Sequence, residues 1–134
     1  MIMIIHIHST LTDQKEEFKP LKSGFVGIYQ CGPTVYDTVH IGNLRAFTVD
    51  DIIRRTFEYN SYKVTQVMNI TDVDDKTIKK SRDEKKGLVE LTRHYETLFL
   101  ADIHSMNILT PHKILRARDY VKEMIEAIKK EASI

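Results

Sequence analysis

The sequence predicts an α/β fold in which a small parallel sheet is flanked by helices. Two β-type segments, residues 25–31 and 62–70, enclose a segment whose apolar residues recur at helical spacing. A strand, a helix and a second strand in this order form a βαβ unit, and such crossovers are right-handed. On this scale the unit is half of a mononucleotide-binding fold. Because ligands bind such sheets at the carboxyl ends of the strands, the residues after position 31 are the first candidates for a functional site.

The composition fits one cytoplasmic domain. With 134 residues and 42% apolar side chains, the chain can bury a modest core. Twenty Lys and Arg against nineteen Asp and Glu leave a formal charge of +1, so bulk charge indicates no nucleic-acid surface, although a local basic patch stays open. A single cysteine cannot form an internal disulfide, which favours a cytoplasmic setting. The apolar start lacks a basic leader and no run approaches ~20 apolar residues, so we expect neither a signal peptide nor contact with a membrane.

The start of the chain predicts one short strand and then the first core strand. Residues 2–8 alternate loosely between apolar and polar, and the polar residues 9–17 predict a solvated turn. His6 and His8 would share one face of the short strand. A paired-histidine metal site is conceivable there, but a half-exposed strand face is favoured, because no Cys, Asp or Glu follows at matching spacing. Residues 25–31 are rich in β-branched and aromatic side chains, as in a buried parallel strand.

A helix is predicted over residues 43–59. We expect Asn60 to follow its end, because Asn tolerates the left-handed conformation that terminates helices. The apolar positions at helical spacing are Leu44, Phe47, Val49, Ile52, Ile53 and Phe57. The remaining surface of this helix is expected to carry Arg45, Asp51, Arg54, Arg55 and Glu58.

Three more helices are predicted downstream of the second strand. Thr71 and Asp74 match the Ser/Thr-x-x-Asp/Glu helix-start signature, which predicts a helix over residues 72–86. An apolar stripe over residues 88–106 predicts the next helix. The dipeptide Thr-Pro at 110–111 supplies an N-cap and a first-turn proline for a last one. The residues expected to face inward from it are Ile114, Val121, Met124, Ile125 and Ile128.

Residues 31–45 are the most distinctive stretch, since they hold the only cysteine, a proline and two glycines. Cys31 ends the first core strand, where its thiol could be a metal ligand, a nucleophile or a small buried apolar group. Taken alone, the residue favours the buried structural role. Thr34 follows three positions later, within the same loop.

Polar donors crowd around a glycine where the predicted helix begins: His40, Gly42 and Asn43. A helix N-terminus offers unpaired N–H groups and the positive end of its dipole to phosphate. Gly42 would let a flat ring or a phosphate approach the backbone without meeting a Cβ. His40 and Asn43 could donate hydrogen bonds to oxygens whose charge grows as a phosphoryl centre is attacked. The alternative is a polar turn that only caps the helix.

Three motifs in order resemble the amino-terminal half of the catalytic domain of the cysteinyl-tRNA synthetase family, which belongs to class I. They are residues 29–37 (YQCGPTVYD), 40–43 (HIGN) and 69–76 (NITDVDDK), and the similarity covers nearly the whole chain. The resemblance implies a partial Rossmann-like domain of the HUP type, with ATP and L-cysteine as substrates, Mg accompanying ATP, and tRNA-Cys as acceptor. It also implies that residues 1–134 are the amino-terminal half of this catalytic domain.

The resemblance assigns roles by position. His40 and Asn43 belong to the family's form of the HIGH signature, which binds ATP and stabilises the α-phosphate, with Asn43 in place of the second histidine. Cys31 corresponds to the first ligand of a zinc ion that takes the substrate thiolate. Zinc prefers soft sulfur to a neutral hydroxyl, which would separate cysteine from serine. Two further sets of site residues are implied. They are Gly32 and Thr71 for the amino acid, and Thr34 and Gly42 with His40 and Asn43 for ATP.

Several features of the family are expected to lie outside these 134 residues. They are the other zinc ligands, the KMSKS half, the connective peptide and the anticodon-binding domain, so we expect this stretch neither to retain zinc nor to be active alone. Lys79 and Lys80 are no substitute for the KMSKS loop and are expected to face water. Missing sheet neighbours predict self-association through exposed edges. Smaller departures are Ser61, where the family usually has glycine, and residues 115–120 (LRARDY), where a PRATEH-like run is common.

Other interpretations of the same residues stay open. A non-catalytic nucleotide-binding or split-enzyme module would keep the loop without turnover, and a cysteine ligase of the mycothiol type would share the adenylation chemistry. Thr71 could be a helix cap, a pocket residue or both. Asp72, Asp74 and Asp75 could hold a divalent cation, although acidic residues are favoured in a first helical turn by the dipole alone.

Overall fold

The structure, a computed structural model, describes residues 4–132 and confirms the α/β class. Its elements in chain order are β1 (His6–Ser9), β2 (Gln14–Glu17), β3 (Phe25–Thr34), α1 (Ile41–Tyr59), β4 (Lys63–Thr71), α2 (Asp75–Asp83), α3 (Leu88–Ser105), β5 (Lys113–Arg116) and α4 (Val121–Glu131). A 3₁₀ turn, Ala117–Tyr120, joins the last two. Among these residues, no helix is long and apolar enough to cross a membrane.

The central sheet has three parallel strands in the order β3-β4-β5. β3 and β4 run in register from Phe25 beside Lys63 to Cys31 beside Asn69, and the register shifts before Thr34. The parallel βαβ arrangement is therefore confirmed. Within residues 4–132, β3 is at one edge of the sheet, so beyond an isolated bridge from Lys22 to Phe25 the outer side of this strand is unpaired.

β1 and β2 form a separate antiparallel hairpin. The prediction of a turn over residues 9–17 is therefore wrong for its second half. β2 (QKEE) is exposed on every residue, so the period-2 alternation that marks a half-buried strand is absent from it. His6 and His8 are both exposed, and His8 Nε2 lies 3.3 Å from Asp13 Oδ1. Residues 2 and 3 of the predicted first strand lie outside the described residues.

Two apolar clusters form the core. The larger one consists of Val35, Phe47, Met68, Ile70, Phe99 and Ile103, contributed by the loop after β3 and by α1, β4 and α3. The smaller one consists of Val26, Phe57 and Val64, with Ile5, Ile7 and Phe18 from the hairpin region against it. Each fully buried side chain of this kind stabilises the fold by about 1.5–3 kcal/mol relative to exposure. The predicted third helix is confirmed as α3, with Leu91 and Phe99 on its buried side.

On α1, apolar spacing predicts the buried face only in part. Phe47 and Phe57 are buried, but Val49 and Ile52 are exposed. Conversely Asp51 and Arg54, expected at the surface, are buried because each binds a distant chain segment. Asp51 Oδ1 accepts a hydrogen bond from the Leu109 amide (2.9 Å), and Arg54 Nη1 donates to the carbonyl of Thr110 (2.9 Å).

The helix predicted to begin at residues 110–111 is wrong in its first part. Residues 113–116 form β5 instead, pairing in parallel with β4 from Val67 beside Lys113 to Ile70 beside Arg116. Pairing with β4 outweighs the local helix-start signal of Thr-Pro, because a local preference of this kind is weak and yields to tertiary contacts. Ile114 is partly buried, as expected. The other residues expected to face inward lie on α4 and are exposed: Val121, Met124, Ile125 and Ile128.

The boundaries of α1 and α2 also differ from expectation. α2 begins at Asp75, and its N-cap is Asp74, whose side chain accepts from the Thr77 amide while the Thr77 hydroxyl binds the Asp74 backbone N–H. Thr71 is the last residue of β4, so it does not cap the helix. After α1, Ser61 rather than Asn60 takes the left-handed conformation, with φ 66°. Glycine, which the resemblance leads us to expect at position 61, adopts this conformation without strain.

Candidate nucleotide-binding site

The loop that follows β3 begins with an exposed thiol. Cys31 is the last β3 residue in register with β4, and it is exposed. The buried structural role that the residue alone favoured is therefore wrong. The thiol is open to a metal ion, a substrate or another chain. Within residues 4–132, no three His, Cys, Asp or Glu side chains gather as a metal site.

Gly32 is required by a close approach between two strands. A Cβ built on Gly32 would lie 1.8 Å from the backbone oxygen of Asn69 on β4, far inside van der Waals contact. The Gly32 amide donates to Asn69 Oδ1 (3.1 Å), and Asn69 Nδ2 donates to the hydroxyl of Thr71 (3.4 Å). The side chain of Asn69 thus joins two residues that were assigned to one pocket from sequence, Gly32 and Thr71.

The residues after Thr34 anchor the loop before it reaches α1. The amide of Val35 donates to the carbonyl of Thr71 (3.1 Å), and the Val35 side chain is buried in the larger core cluster. Asp37 and Thr38 are exposed at the tip, where Asp37 Oδ1 accepts from the Thr38 amide (2.8 Å). The loop is therefore held at its base and open at its tip.

His40 and Asn43 cap the start of α1 reciprocally. His40 Nδ1 accepts a hydrogen bond from the Gly42 amide (3.1 Å), and Asn43 Oδ1 accepts one from the His40 amide (3.2 Å). A Cβ on Gly42 would lie 2.9 Å from His40 Cε1, so only glycine lets the imidazole fold back over the helix end. The capping role that the sequence left open is thus present.

The cap leaves the remaining side-chain donors available. Because Nδ1 of His40 is an acceptor here, its neutral ring carries the proton on Nε2. Because Oδ1 of Asn43 is an acceptor, Nδ2 remains a donor. Both residues are exposed at the positive end of the α1 dipole. The cap therefore uses one acceptor of each residue and leaves a donor of each exposed.

These donors face a cleft of ≈ 220 Å³ at the carboxyl edge of the sheet. Its lining residues are Pro33, Thr34, Tyr36, Asp37, Thr38, Val39, His40, Asn43 and Lys76. Three predicted site residues, Thr34, His40 and Asn43, come together here. Gly42 instead borders a shallow depression with Arg45 and Asp50. Cys31, Gly32 and Thr71 lie outside the cleft, where the last two are linked through Asn69.

Lys76 and Tyr36 were not singled out from the sequence. Lys76 extends from the first turn of α2 and its Nζ lies 5.5 Å from the centroid of the Tyr36 ring, a cation–π distance. Tyr36 is the last residue but one of the motif 29–37, and Lys76 is the last residue of the motif 69–76. Their place in these motifs is the sequence signal that could have identified them. Lys76 adds a positive charge to a cleft whose other charged side chain is Asp37, and Tyr36 adds an aromatic ring.

The acidic cluster after β4 is accounted for without a cation. Asp72 is buried and its Oδ1 accepts from the Arg118 amide (2.9 Å), with Arg118 Nη2 3.3 Å from Oδ2. Asp74 caps α2, and Asp75 lies in its first turn, where the helix dipole favours it. These carboxylates are used for structure.

A second buried ion pair lies beside that cluster. Glu96 of α3 is buried and receives two hydrogen bonds from Arg116 at the end of β5. These bonds raise the pKa of Arg116 further above its usual value, so its guanidinium stays charged. It fixes β5 against α3 beneath the carboxyl edge of the sheet.

A parallel sheet with a donor-lined cleft between its first strand and the following helix defines a nucleotide-binding α/β domain. Residues 17–132 match the model of the tRNA synthetases class I (C) catalytic domain, and the chain belongs to this family. The family and the observed sheet together confirm the partial Rossmann-like class I fold predicted from the motifs.

Individual relatives are similar over almost the whole chain. A cysteine–tRNA ligase of Treponema denticola is 41% identical over 96% of this chain and 28% of its own length. One of Lactobacillus gasseri is 47% identical over 92% of this chain and 28% of its own length. One of Methanosarcina mazei is 46% identical, with 95% and 27% covered. The chain thus spans little more than a quarter of the curated relatives it matches.

Proposed function

We propose that this chain forms the ATP- and cysteine-binding part of a cysteine–tRNA ligase. The observation that carries the proposal is the cap of α1, which holds His40 and Asn43 with their free donors at a cleft of nucleotide-phosphate size. The relatives named as cysteine–tRNA ligases support the choice of amino acid. The activity of the whole protein is part of this proposal.

In the first step the carboxylate oxygen of cysteine attacks the α-phosphorus of ATP. The bond to the bridging oxygen breaks, pyrophosphate leaves, and cysteinyl-adenylate remains. Nε2–H of His40 and Nδ2–H of Asn43 donate to the α-phosphate oxygens, whose negative charge grows in the transition state. A Mg ion bound to ATP would neutralise the leaving pyrophosphate.

In the second step a hydroxyl of the terminal ribose of tRNA-Cys attacks the acyl carbon of the adenylate. The ester to tRNA forms and AMP leaves. The cleft opens at the exposed loop tip, Asp37 and Thr38, and this gives an RNA end an approach to the reacting group. A cytoplasmic setting, as for other components of translation, belongs to the same proposal.

The amino acid lies on the β3 and β4 side, against Gly32, Thr34 and Thr71. Cys31 offers one sulfur ligand at this edge, whereas a zinc site takes four ligands. Residues 4–132 therefore do not form a zinc site by themselves, and no step here is assigned to zinc.

The proposal is tested by calorimetry with a non-hydrolysable sulfamoyl analogue of cysteinyl-adenylate. Wild-type chain is expected to bind it, and His40→Ala and Asn43→Ala are each expected to weaken binding about tenfold through loss of a charge-assisted hydrogen bond. His104→Ala removes an exposed imidazole from the far end of α3 and is the matched control. Absence of binding by the wild-type chain, or equal losses in the control, would contradict the proposal.

Turnover provides a second test. The chain alone is expected to show no cysteine-dependent exchange of pyrophosphate into ATP. The cleft contributes only Lys76 as a cation within the described residues, whereas the leaving pyrophosphate carries several charges. Exchange by the isolated chain would sink the expectation that further residues are needed.

Self-association is the remaining part of the proposal. The outer face of β3 exposes Phe25, Tyr29 and Cys31, and among residues 4–132 only an isolated bridge from Lys22 to Phe25 pairs with the outer edge of that strand. Such edges and faces promote association. Light scattering should detect dimers, and Tyr29→Lys should reduce them more than Leu11→Lys in the hairpin turn. A monomer at high protein concentration would contradict this part.

A further inference from the structure

We propose that a second cleft, formed by Tyr36 and one face of α2, binds the phosphodiester backbone of a single-stranded RNA segment. The cleft has a volume of ≈ 230 Å³ and is lined by Tyr36, Lys76, Lys79, Lys80 and Asp83. The four α2 residues recur at intervals of three and four, so they share one helix face. The three lysines therefore face one groove.

This basic cleft, as we name it, adjoins the nucleotide-binding cleft. Tyr36 and Lys76 line both. An RNA strand lying along α2 would thus reach the loop tip at Asp37 and the donors of α1 without leaving the protein surface. The contact between the two clefts places the end of such a strand where acyl transfer would take place.

Charge is concentrated at this helix. The helix, Asp75–Asp83, contains four Lys and Arg and two carboxylates, a net of +2, and Lys85 and Lys86 follow it after Glu84, whereas the whole chain carries +1. A polyanion is attracted to such a local excess even when the net charge of the chain is close to zero. The local basic patch that bulk charge left open is thus present.

The lysines of this patch are weakly committed to protein partners. Lys80 Nζ lies 3.8 Å from Asp37 Oδ2 and 3.4 Å from Glu84 Oε1, and exposed pairs of this kind contribute little stability. The Asp37 carboxylate raises the pKa of Lys80, which keeps the ammonium charged. Lys79 has no carboxylate within ion-pair distance in the described part of the chain. A phosphate can therefore replace these contacts.

An aromatic ring beside a basic groove is the arrangement that proteins use for single strands. Bases stack on the ring while cations follow the backbone, with little dependence on sequence. Tyr36 is half-buried and already lies against Lys76, so its ring is held at the boundary between the clefts. The inference rests on the proposed function in one respect, which is that the RNA is identified as the single-stranded end of the acceptor tRNA.

The test is fluorescence anisotropy of a labelled single-stranded RNA of about eight nucleotides, titrated with the full chain at several salt concentrations. Lys79→Gln with Lys80→Gln is expected to weaken binding about tenfold and to reduce the slope of log K against log salt by about 1.4, from two lost phosphate contacts. Lys122→Gln with Lys130→Gln removes the same charge from α4 and should change affinity less than about twofold.

The ring is tested separately. Tyr36→Leu should weaken RNA binding about tenfold, while Tyr36→Phe, which keeps the stacking surface, should bind like wild type. Equal losses for the α4 control and the α2 variant would overturn the inference, as would absence of RNA binding at low salt.

The adenylate analogue separates this inference from the proposed function. The α2 double variant should bind the analogue with wild-type affinity. If that variant loses affinity for the analogue and keeps affinity for RNA, the basic cleft holds nucleotide phosphates and the inference is overturned. If wild-type chain binds RNA through α2 but does not bind the analogue, the proposed function fails and the inference that the basic cleft binds RNA stands.

Discussion

Two polar regions of the molecule use their hydrogen bonds in opposite ways. Beneath α1, Arg54 donates to Gln66 (3.1 Å), Gln66 to Gln30 (2.7 Å) and Gln30 to Asp50 (2.7 Å), so a cation and an anion are joined through two buried amides. At the start of α1, His40 and Asn43 satisfy the helix end with their acceptors and leave their donors exposed. We refer to the first region as the closed network and to the second as the open cap.

The difference separates structure from binding. Every member of the closed network points at another member, and a buried polar network of this kind stabilises the fold only while it is complete. The open cap is incomplete within the fold, since each residue uses an acceptor at the helix end and keeps an exposed donor. Changes in the closed network should therefore lower stability, and changes in the open cap should lower affinity.

The largest effect is expected at Gly32, because the close approach of β3 and β4 depends on its lack of a Cβ. Gly32→Ala would place a Cβ 1.8 Å from the Asn69 oxygen, so two paired strands must separate. We expect a loss of about 3 kcal/mol or more in the free energy of unfolding, measured with urea. Gly27→Ala on the same strand meets nothing within 4 Å and should cost less than about 1 kcal/mol. Similar losses for both would show that the strand contact is not the cause.

The closed network is broken by Arg54→Met. Removing the guanidinium leaves Gln66 Oε1 and the Thr110 carbonyl without their donor. We expect a loss of about 2–4 kcal/mol, because the buried Gln66 amide and the part-buried Thr110 carbonyl lose their donor together. Arg45→Met, on the exposed first turn of the same helix, should stay within about 0.5 kcal/mol. Unchanged stability of Arg54→Met would refute a structural role for the network.

The open cap is tested by Gly42→Ala. The added Cβ displaces the His40 ring, which lies 2.9 Å from its built position. Affinity for the adenylate analogue should fall about tenfold, while stability should change by less than about 1 kcal/mol, since alanine favours the helix and offsets the disturbed cap. Loss of stability without loss of affinity would show that Gly42 serves the fold and not the binding of the analogue.

The smallest effect concerns pH and the anionic end of the closed network. Burial raises the pKa of Asp50 above its usual 3.8, and the hydrogen bond from Gln30 opposes part of this rise. The folded state thus holds the proton more tightly, so the stability linked to Asp50 is fully present below pH 3.8 and is lost as the pH rises through the folded-state value. Asp50→Asn keeps an acceptor for Gln30 and should flatten this decline in urea unfolding measured across that range. A variant with the pH dependence of wild type would contradict it.

The open cap was largely predictable from sequence because its signals are local. His40, Gly42 and Asn43 act within one helix turn, and their spacing indicated either donors for a ligand or a turn that only caps the helix. Gly32 could be named, but the reason for it could not, since Asn69 is brought to it only by strand pairing.

The closed network was not predictable because its members are far apart in the chain. Arg54 and Asp51 read as surface residues on a helical pattern, and only the tertiary structure provides Gln66 and the segment before β5 as their partners. β5 itself was read as a helix, because its four residues carry no alternation strong enough to override Thr-Pro.

The amide of Asn69 has a consequence for the spacing of β3 and β4. It connects the Gly32 backbone to the Thr71 hydroxyl, and the bare α-carbon of Gly32 holds the two strands at contact distance. A wall built in this way has a fixed width. Widening the gap between Gly32 and Thr71 would require separating the strands and breaking the same bonds that hold the sheet together, so the geometry at this end of the sheet is maintained by the stability of the fold itself.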